Sequence, residues 1–314
     1  MEGGDEKENG IELIDFNNEE KVCEKKDKKK SLSFNTLNQF LYIIIALNIL
    51  YFFQKKWIYD KNNKYYFKFK NIDEINRNAS ETIVNLVNKK PNARIGLFYD
   101  ESLLGIYNYL ITKYENGEVS FKNVKFFSFD GLCGLQKDNN NSNYYFLTEN
   151  FLSKIDAQRQ NIFLINEEGH CLYDFQLNAE NYSELFYKNP LDLQIILFDE
   201  NGNIGFNDQN TDFDLIAHVV KINLEKRSSI KERFGSYEKT PMYAITLGIE
   251  NILQSKEIIT IAIGKEKAKA VRILINGIFT QKFPITALCK HTGKVRVYSD
   301  KEAGLLIKEN NKKF

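Results

Sequence analysis

Short apolar runs alternate with amphipathic segments over most of this chain, and this alternation limits the folds that the chain can adopt. From about residue 72 onwards, each apolar run is long enough for one buried strand, and most intervening segments carry apolar residues at helical spacing. Strands separated by helices pair in parallel, and a parallel sheet needs helices on both faces. The strand patterns cover 94–99, 124–129, 161–165, 193–198, 258–263 and 295–298, and the helical patterns cover 80–90, 102–114, 241–253 and 266–276.

The pattern predicts an α/β fold: a three-layer, mostly parallel twisted sheet of the Rossmann-like kind, with helices on both faces. Ser80 is expected to cap the helix over 80–90, and Pro241 is expected in the first turn of the helix over 241–253. Sheets of this kind bind ligands at the carboxyl ends of their strands. The expected functional loops follow Phe98, Phe129, Phe198 and Ile263.

Charge balance and the sparse cysteines and histidines argue against several classes of protein. The 314 residues include 43 lysines and arginines against 42 aspartates and glutamates, a net charge of +1, which argues against binding of nucleic acid by bulk electrostatics. The 4 cysteines lie far apart without a Cys-x-x-Cys pair, and none of the 3 histidines is spaced like a metal-binding pair. We therefore expect no disulfide scaffold, no metal site and no cofactor.

The first part of the chain differs in composition from the rest. Residues 1–33 are polar and highly charged, and we expect them to be disordered because they offer too little apolar surface to offset the entropy of ordering. Residues 34–56 contain an apolar run flanked by lysines. A spanning helix needs about 20 mostly apolar residues, or about 17 at the short end. The run is therefore expected to form a single transmembrane anchor, followed by a linker over 57–74.

Two other interpretations of the apolar run stay open. A signal peptide has an apolar region of similar length, but no small-residue cleavage site follows this one. A buried core helix would leave the lysine-rich flanks unexplained. If the run is a membrane anchor, the lysines on its two sides are too evenly balanced to predict its orientation. Beyond the linker, one domain is expected over 75–305, with a polar tail over 306–314.

Six short motifs follow one another within 75–305, about three quarters of the chain. Residues 127–135 read Phe-Ser-Phe-Asp-Gly-Leu-Cys-Gly-Leu, which resembles the Phe-Asn-x-Asp-Glu-Tyr-x-Gly-Leu strand end of the glucosamine-6-phosphate deaminases (isomerases). Residues 201–208 read Asn-Gly-Asn-Ile-Gly-Phe-Asn-Asp, which resembles that family's Asp-Gly-His-Ile-Ala-Phe-Asn-Glu. The other motifs similar to that family lie at 117–124, 243–249, 264–268 and 283–288.

This resemblance implies an aldose–ketose isomerisation with loss of ammonia. Asp130 matches the aspartate that moves a proton from C2, and Asp208 stands in place of a glutamate. Lys267 and Arg233 match the lysine and the arginine that bind the phosphate group of the substrate. A weakly acidic C–H needs a base within hydrogen-bonding reach, and a phosphate needs basic side chains and backbone N–H groups.

Several further positions depart from the family's pattern, among them Ile196 and Leu197, which replace two glycines. Asn203 stands at the position of the ring-opening histidine, and Asn201 replaces an aspartate. An amide cannot take up and return a proton near neutral pH. Asp100 and Glu101 stand where the family has two phosphate-binding glycines. A carboxylate about 4 Å from a phosphate costs about 4 kcal/mol per pair of unit charges at a surface-like dielectric.

These departures predict that the deaminase reaction has been lost and that the matching residues are vestigial. Lys267 and Arg233 then either stay free or pair with the carboxylates at 100 and 101. The vestigial set is Asp130, Asp208, Lys267 and Arg233.

The expected role is that of a non-catalytic, membrane-anchored structural or accessory subunit of a larger complex. Its partners would be protein subunits and, through one helix, the membrane; the mitochondrial inner membrane is the suggested location, although no targeting signal supports it. Nucleic acid is not expected as a partner, and the altered site gives little reason to expect a small-molecule ligand. The alternative is residual binding of an amino-sugar phosphate, or isomerase or deaminase activity, by the same four residues.

Overall fold

The computed structural model of the protein describes residues 56–59, 64–187 and 189–307. The predicted disordered tail and residues 34–55 of the predicted anchor lie outside the described residues. Within the described part of the chain, no helix combines the length and the hydropathy needed to cross a bilayer. Lys56, the last residue of the predicted anchor, begins the first strand.

The described residues form eleven strands in two sheets. The strands are β1 (Lys56–Tyr59), β2 (Lys64–Lys68), β3 (Arg94–Leu97), β4 (Lys125–Ser128), β5 (Asp130–Leu132), β6 (Ile162–Phe163), β7 (Leu193–Leu197), β8 (His218–Lys221), β9 (Tyr243–Thr246), β10 (Glu257–Ala262) and β11 (Lys294–Ser299). Eight of them form the main sheet, in the order β1-β2-β11-β10-β7-β3-β4-β6. Its neighbours are parallel except for β1 and β2.

Helices cover both faces of this sheet, as the sequence predicted. Short 3₁₀ turns over Glu101–Leu103 and Lys265–Lys267 lead into two of the helices at the carboxyl edge of the sheet. The α-helices of the described residues are α1 (Ile72–Lys89), α2 (Leu104–Glu115), α3 (Asn143–Asn150), α4 (Leu172–Tyr187), α5 (Leu224–Phe234), α6 (Ile249–Leu253) and α7 (Ala268–Ile275).

The inner strands are buried because helices cover both of their faces. All residues of β7 are buried, and the same is true of β10 after its first residue. Phenylalanines fill the layer near β4: the rings of Phe126 and Phe151 pack edge to face with their centroids 5.6 Å apart. A continuous apolar core of this kind accounts for the near-uniform apolar runs by which the sequence predicts parallel strands.

A second sheet, β5-β9-β8, is antiparallel, and it corrects one sequence prediction. A helix was expected over 241–253, but only Ile249–Leu253 is helical, and Tyr243–Thr246 is the middle strand of this sheet. Pairing on both edges satisfies the backbone of β9 and leaves Ala244 and Ile245 fully buried. That tertiary pairing outweighs the helix signal of Pro241.

The described residues of the expected linker, 57–59 and 64–74, contain most of β1, all of β2 and the first residues of α1. The strand β2 extends the main sheet by pairing in parallel with β11. Tyr66 of β2 is buried, and its hydroxyl shares a hydrogen bond of 2.8 Å with Ser299 of β11. The contact explains why this polar segment is part of the domain.

The first helix begins earlier than its apolar pattern suggested. Asn71 caps α1, since its side chain accepts a hydrogen bond from the Glu74 N–H at 3.0 Å. Ser80, the expected cap, lies inside the helix and donates to the Asn76 carbonyl at 2.8 Å. A serine in mid-helix commonly bonds to the preceding turn in this way.

A buried carboxylate joins the amino ends of three parallel strands. Asp192 precedes β7 and accepts hydrogen bonds from Lys90 Nζ at 2.7 Å and from Lys256 Nζ at 2.8 Å. It also accepts from the backbone N–H of Arg94, which begins β3, at 2.9 Å. Burial acts to raise the pKa of Asp192, but hydrogen bonds from Lys256, Lys90 and Arg94 outweigh it and hold this pKa below its ordinary value.

We expect Asp192→Asn to lower the free energy of unfolding by about 1–3 kcal/mol, because a buried charge partner of two lysines is lost. The control is Asp73→Asn, which removes an exposed ion pair with Arg77 but keeps an amide oxygen that can accept from the Tyr109 hydroxyl, so stability should change little. Urea unfolding at pH 7 measures both variants. Equal losses in the two variants would show that Asp192 is no more important than a surface charge.

Candidate active site

Asp130 stands where the chain passes from the main sheet to the small sheet. The strand β4 ends at Ser128, and β5 begins with Asp130, whose backbone pairs with Thr246 of β9. Between them, Phe129 is fully buried, and its carbonyl accepts the Leu247 N–H at 2.9 Å. These constraints place the Asp130 carboxyl just beyond the carboxyl end of the parallel strand β4, where the sequence predicted a functional loop and the structure has the strand β5.

The Asp130 side chain is only 6% exposed and is held by an amide. Asn143, the first residue of α3, donates from Nδ2 to Asp130 Oδ1 at 2.7 Å and lies 3.3 Å from the Asp130 carbonyl. On the opposite side, Oδ2 faces Gly205, where a Cβ atom would lie 3.1 Å from it. Gly205 has a φ of +58°, so the glycine permits both the turn and the close approach.

Burial raises the pKa of Asp130 from 3.8 to about 7. The positive charge of Lys226, the hydrogen bond from Asn143 and the charge of Arg233 act in the opposite direction, and the charge of Asp100 adds to the rise. A carboxyl with a pKa near 7 both accepts and releases protons at physiological pH. This is the property required of a group that moves a proton between two carbon atoms.

A second buried carboxyl, Glu167, lies under the same turn. It fits because residue 131 is a glycine: a Cβ atom there would lie 2.7 Å from Glu167 Cγ. Oε1 accepts the Tyr144 N–H at 3.0 Å, and Oε2 is buried without a hydrogen-bond partner among the described residues. Burial raises the pKa of Glu167 to about 8, the nearby Asp130 adding to the rise, so this carboxyl holds a proton at neutral pH.

Arg233, near the end of α5, reaches toward Asp130 through Asn143. Its Nη2 donates to Asn143 Oδ1 at 3.2 Å and to the carbonyl of Asn141. The guanidinium lies over the ring of Tyr99, 4.3 Å from the ring centre. Stacking and hydrogen bonds together fix the planar side chain.

A cavity of about 190 Å³ is lined by Gly205, the glycine that faces Asp130 Oδ2, but not by Asp130 itself, Asn143 or Arg233. The loop 199–208 forms one wall, and β8 with the first turns of α5 forms the other. Asp199 holds Asn203 in the first wall: its carboxylate accepts the Asn203 Nδ2 at 2.9 Å and the Asn203 N–H at 3.0 Å. Asp208 and Lys226 also line the cavity, which is therefore polar and of mixed charge.

Asn201, which replaces an aspartate of the family's motif, is exposed and lines the same cavity. The structure shows a carboxylate two residues earlier, at Asp199, which also accepts the Asn201 N–H at 2.9 Å. The cluster therefore keeps two acidic side chains, Asp199 and Asp208, around the amide of Asn203.

In the expected phosphate-binding loop, the side chain of Asp100 occupies a backbone N–H group that would otherwise bind an anion. Asp100 accepts the Ser102 N–H at 2.9 Å and caps the turn Glu101–Leu103, so its carboxylate lies where an incoming anion would bind. No ion pair among the described residues joins Lys267 or Arg233 to either carboxylate, so the pairing left open by the sequence is not formed. Lys267 stands half-buried in the turn after β10, outside the cavity wall.

None of the histidines lines the cavity. A ring nitrogen of His218 lies 2.7 Å from the Ile216 carbonyl, and one of His291 lies 2.6 Å from the Ser255 carbonyl. Burial lowers the pKa of both imidazoles, so they are neutral at physiological pH. Among the described residues, no group of His, Cys, Asp and Glu side chains is arranged to hold a metal ion.

Sequence reasoning missed several residues that surround Asp130. Asn143, Glu167 and Asp199 belong to no motif, and their positions depend on contacts between segments far apart in the chain. One signal was available for Glu167. Gly131 replaces the glutamate of the family's strand-end motif, and the side chain of Glu167 fills the space that this glycine leaves.

Solved structures share this architecture. A monomeric glucosamine-6-phosphate deaminase matches with a TM-score of 0.72 and 31% identity, covering 77% of this chain and 99% of that one. A 6-phosphogluconolactonase from Trypanosoma brucei matches with a TM-score of 0.65 at 17% identity, covering 77% and 98% of the two chains. At that identity the lactonase shows the fold alone. The fold is therefore the α/β sheet found in both groups of enzymes.

Relatives identify the family more closely, although no family model matches the chain. The chain is 34% identical over 244 residues to the glucosamine-6-phosphate deaminase of Thermoanaerobacter pseudethanolicus, covering 77% of this chain and 95% of that protein. It is 35% identical over 239 residues to that of Clostridium novyi, covering 75% and 96%. The chain belongs to the glucosamine-6-phosphate deaminase family.

These relatives overturn the expectation of a non-catalytic structural subunit in a membrane complex. Proteins that share about a third of their residues with this chain, over nearly their whole length, are named as enzymes. The expectation was wrong because it counted replaced residues one at a time. It did not foresee that Asp130 keeps a buried, near-neutral carboxyl and that Asp199 adds a carboxylate beside Asn203.

We expect the stability of the protein to fall as the pH rises from about 4 to about 7. Burial raises the pKa of Asp130 from 3.8 to about 7, so the folded state binds more protons than the unfolded state in this window. The free energy of unfolding then decreases by up to about 1.4 kcal/mol per pH unit from this group. Asp130→Asn should remove this contribution and stabilise the protein at pH 8 relative to pH 5, as measured by urea unfolding.

The control is Asp138→Asn, the same change at an exposed position between Asp130 and α3. It should leave the dependence of stability on pH unchanged. If Asp130→Asn also left it unchanged, the carboxyl would ionise in the folded protein without cost.

Proposed function

We propose that this protein is an acid–base enzyme that converts an amino-sugar phosphate into the corresponding ketose phosphate, with loss of ammonia. The observation that carries the proposal is the buried carboxyl of Asp130, with a pKa of about 7, at the carboxyl edge of the sheet. The names of the related glucosamine-6-phosphate deaminases support the same reaction. Buried carboxyl groups with a strongly raised pKa are concentrated at catalytic sites, which favours an enzyme over a structural subunit.

Asp130 acts as the base toward C2 of the open-chain substrate. The carboxylate removes the C2 proton, the electron pair forms a C1–C2 double bond, and the carbonyl oxygen at C1 takes up a proton. Return of a proton from Asp130 to C1 leaves an imine at C2, and water then replaces the nitrogen, which departs as ammonia. One carboxyl serves both carbon atoms, and a pKa near 7 suits both directions of transfer.

We expect basic side chains, and not backbone N–H groups, to hold the phosphate group of the substrate. Asp100 already occupies the N–H group at the start of its turn, so Arg233 and Lys267 are the groups that would contact a phosphate. The carboxylates of Asp100 and Glu101 oppose its charge. We therefore expect weak binding of the phosphate and a high KM.

Ring opening is the step for which the site is least equipped. Asn203 cannot exchange a proton near neutral pH, and its Nδ2 is already bonded to Asp199. The enzyme therefore acts on open-chain substrate that forms in solution, or on substrate whose ring is opened with Asp208 as the proton-transferring group. A substrate that cyclises less readily should be turned over faster.

We expect Asp130→Asn to reduce turnover by about 10²–10⁴-fold, because the amide cannot carry the C2 proton. The assay follows ammonia release from glucosamine 6-phosphate and, independently, the uptake of solvent deuterium into its carbon skeleton. Asp138→Asn, exposed in the same segment, is the control and should keep full activity. If the unaltered protein catalyses neither ammonia release nor exchange at millimolar substrate, the proposed function is wrong.

We expect Asn203→His to increase kcat/KM for glucosamine 6-phosphate, on the order of 10-fold or more, because an imidazole can open the ring. Asp199 lies within hydrogen-bonding reach of this position and would orient the new ring. Asn210→His, at an exposed position just after the same loop, is the control. No gain from Asn203→His would show that ring opening does not limit the reaction.

The membrane anchor over 34–56 stays a prediction, and the same holds for protein partners and for the suggested mitochondrial location. We propose that the apolar run attaches the enzyme to a membrane through one helix. Extraction of the full chain from membranes by carbonate at high pH tests this proposal. Release into the supernatant would contradict it.

A further inference from the structure

Asn143 lies between two charged groups of the site and contacts both through its side chain. Its Nδ2 donates to Asp130 Oδ1 at 2.7 Å, and its Oδ1 accepts from Arg233 Nη2 at 3.2 Å. The residue is only 3% exposed, so water does not compete freely for either bond. The first residue of α3 thus joins the proposed base to a proposed phosphate-binding residue.

The chemistry of Arg233 fixes the orientation of this amide. A guanidinium only donates hydrogen bonds, so the oxygen of Asn143 must face it, and the NH₂ group is then left to face Asp130. A donor beside a carboxyl favours its ionised form. Arg233 therefore influences Asp130 in two ways, by its charge and by keeping the amide turned toward the carboxyl.

We propose that Asn143 is a positioning residue that makes the protonation of Asp130 depend on where Arg233 lies. The proposal rests on the proposed function. Arg233 is bonded to Asn143 and to the Asn141 carbonyl. An anionic group of the substrate that draws the guanidinium away frees the amide to turn, and Asp130 then becomes the stronger base once substrate is bound.

Other charged groups also face Asp130, and the test must separate them from Asn143. Lys226 on α5 favours the ionised form. Asp100, before α2, favours the protonated form, and the carboxyl of Glu167, under the same turn, also affects the titration. The hydroxyl of Tyr99, under the Arg233 guanidinium, stays protonated because burial raises its pKa. None of these side chains contacts both Asp130 and Arg233 by hydrogen bonds as Asn143 does.

The experiment is a carbon-13 NMR titration of the full-length, ligand-free protein, labelled at the aspartate carboxyl carbons. The Asp130 signal is assigned by its loss in Asp130→Asn. We compare the apparent pKa of Asp130 in the unaltered protein, Asn143→Leu, Arg233→Met and the double variant. The control is Lys231→Met, which removes an exposed positive charge from the same helix, α5.

We expect Asn143→Leu and Arg233→Met each to raise the Asp130 pKa by roughly 0.5–1. The rise of the Asp130 pKa in the double variant should be clearly smaller than the sum of the rises in the two single variants, because both changes break the same contact between Arg233 and Asn143. Lys231→Met should leave the pKa unchanged. The proposal is overturned if Asn143→Leu has no effect, or if the two rises add fully, since Arg233 would then act through its charge alone.

Asn143→Ser replaces Asn143→Leu in the cycle if the leucine variant does not fold, because a serine hydroxyl is too short to reach both partners. The titration needs no turnover. A protein with coupled residues but no deaminase activity would refute the proposed function and leave only the coupling of Asn143 with Asp130 and Arg233. An active protein with additive rises would support the proposed function and overturn the coupling.

Discussion

The cost of removing the Asp130 carboxyl from water governs the arrangement of the site. A buried carboxylate is stable only where donors and positive charge replace its hydration, and here Asn143, Lys226 and Arg233 do so incompletely. The result is a carboxyl that is neither firmly ionised nor firmly protonated at physiological pH. Glu167, which stays protonated beneath it, avoids a second negative charge at the same place.

Much of the fold could be predicted from the sequence because parallel strands are buried on both faces and therefore read as continuous apolar runs. The strands over 94–97, 125–128, 193–197, 257–262 and 294–299 all lie within or next to predicted ones. The strands that were missed, such as β8 and β9, are short. The strand β8 is half-buried, and β9 is buried through pairing with segments that are distant in the chain. For such segments, local propensity carries too little information, and Pro241 indicated a helix where tertiary pairing forms a strand.

The site could be predicted only as far as its residues belong to motifs. Asp130, Asn203, Asp208 and Arg233 were singled out in this way. Asn143 links Asp130 to Arg233, and Asn203 and Asp208 line the cavity, whereas the predicted Lys267 lies outside it. Their partners could not be found. Asn143 and Glu167 reach the site through tertiary contacts between segments distant in the chain. A replaced motif residue gives no information about a carboxylate supplied from another position. The error about activity came from this gap, since replaced residues were visible and compensating ones such as Asp199 were not.

The two ends of the parallel sheet carry opposite electrostatic arrangements. At the amino ends, Asp192 is surrounded by donors and positive charge, so its ionised form stabilises the fold. At the carboxyl ends, the ionised form of Asp130 destabilises the fold, because burial outweighs its donors. Strand direction separates these ends by the length of the strands, so one set of buried carboxyl groups can stabilise the domain while the other is kept reactive. A protein that depends on a near-neutral buried acid needs this separation, since a carboxyl as well paired as Asp192 would be too weak a base to move a proton from carbon.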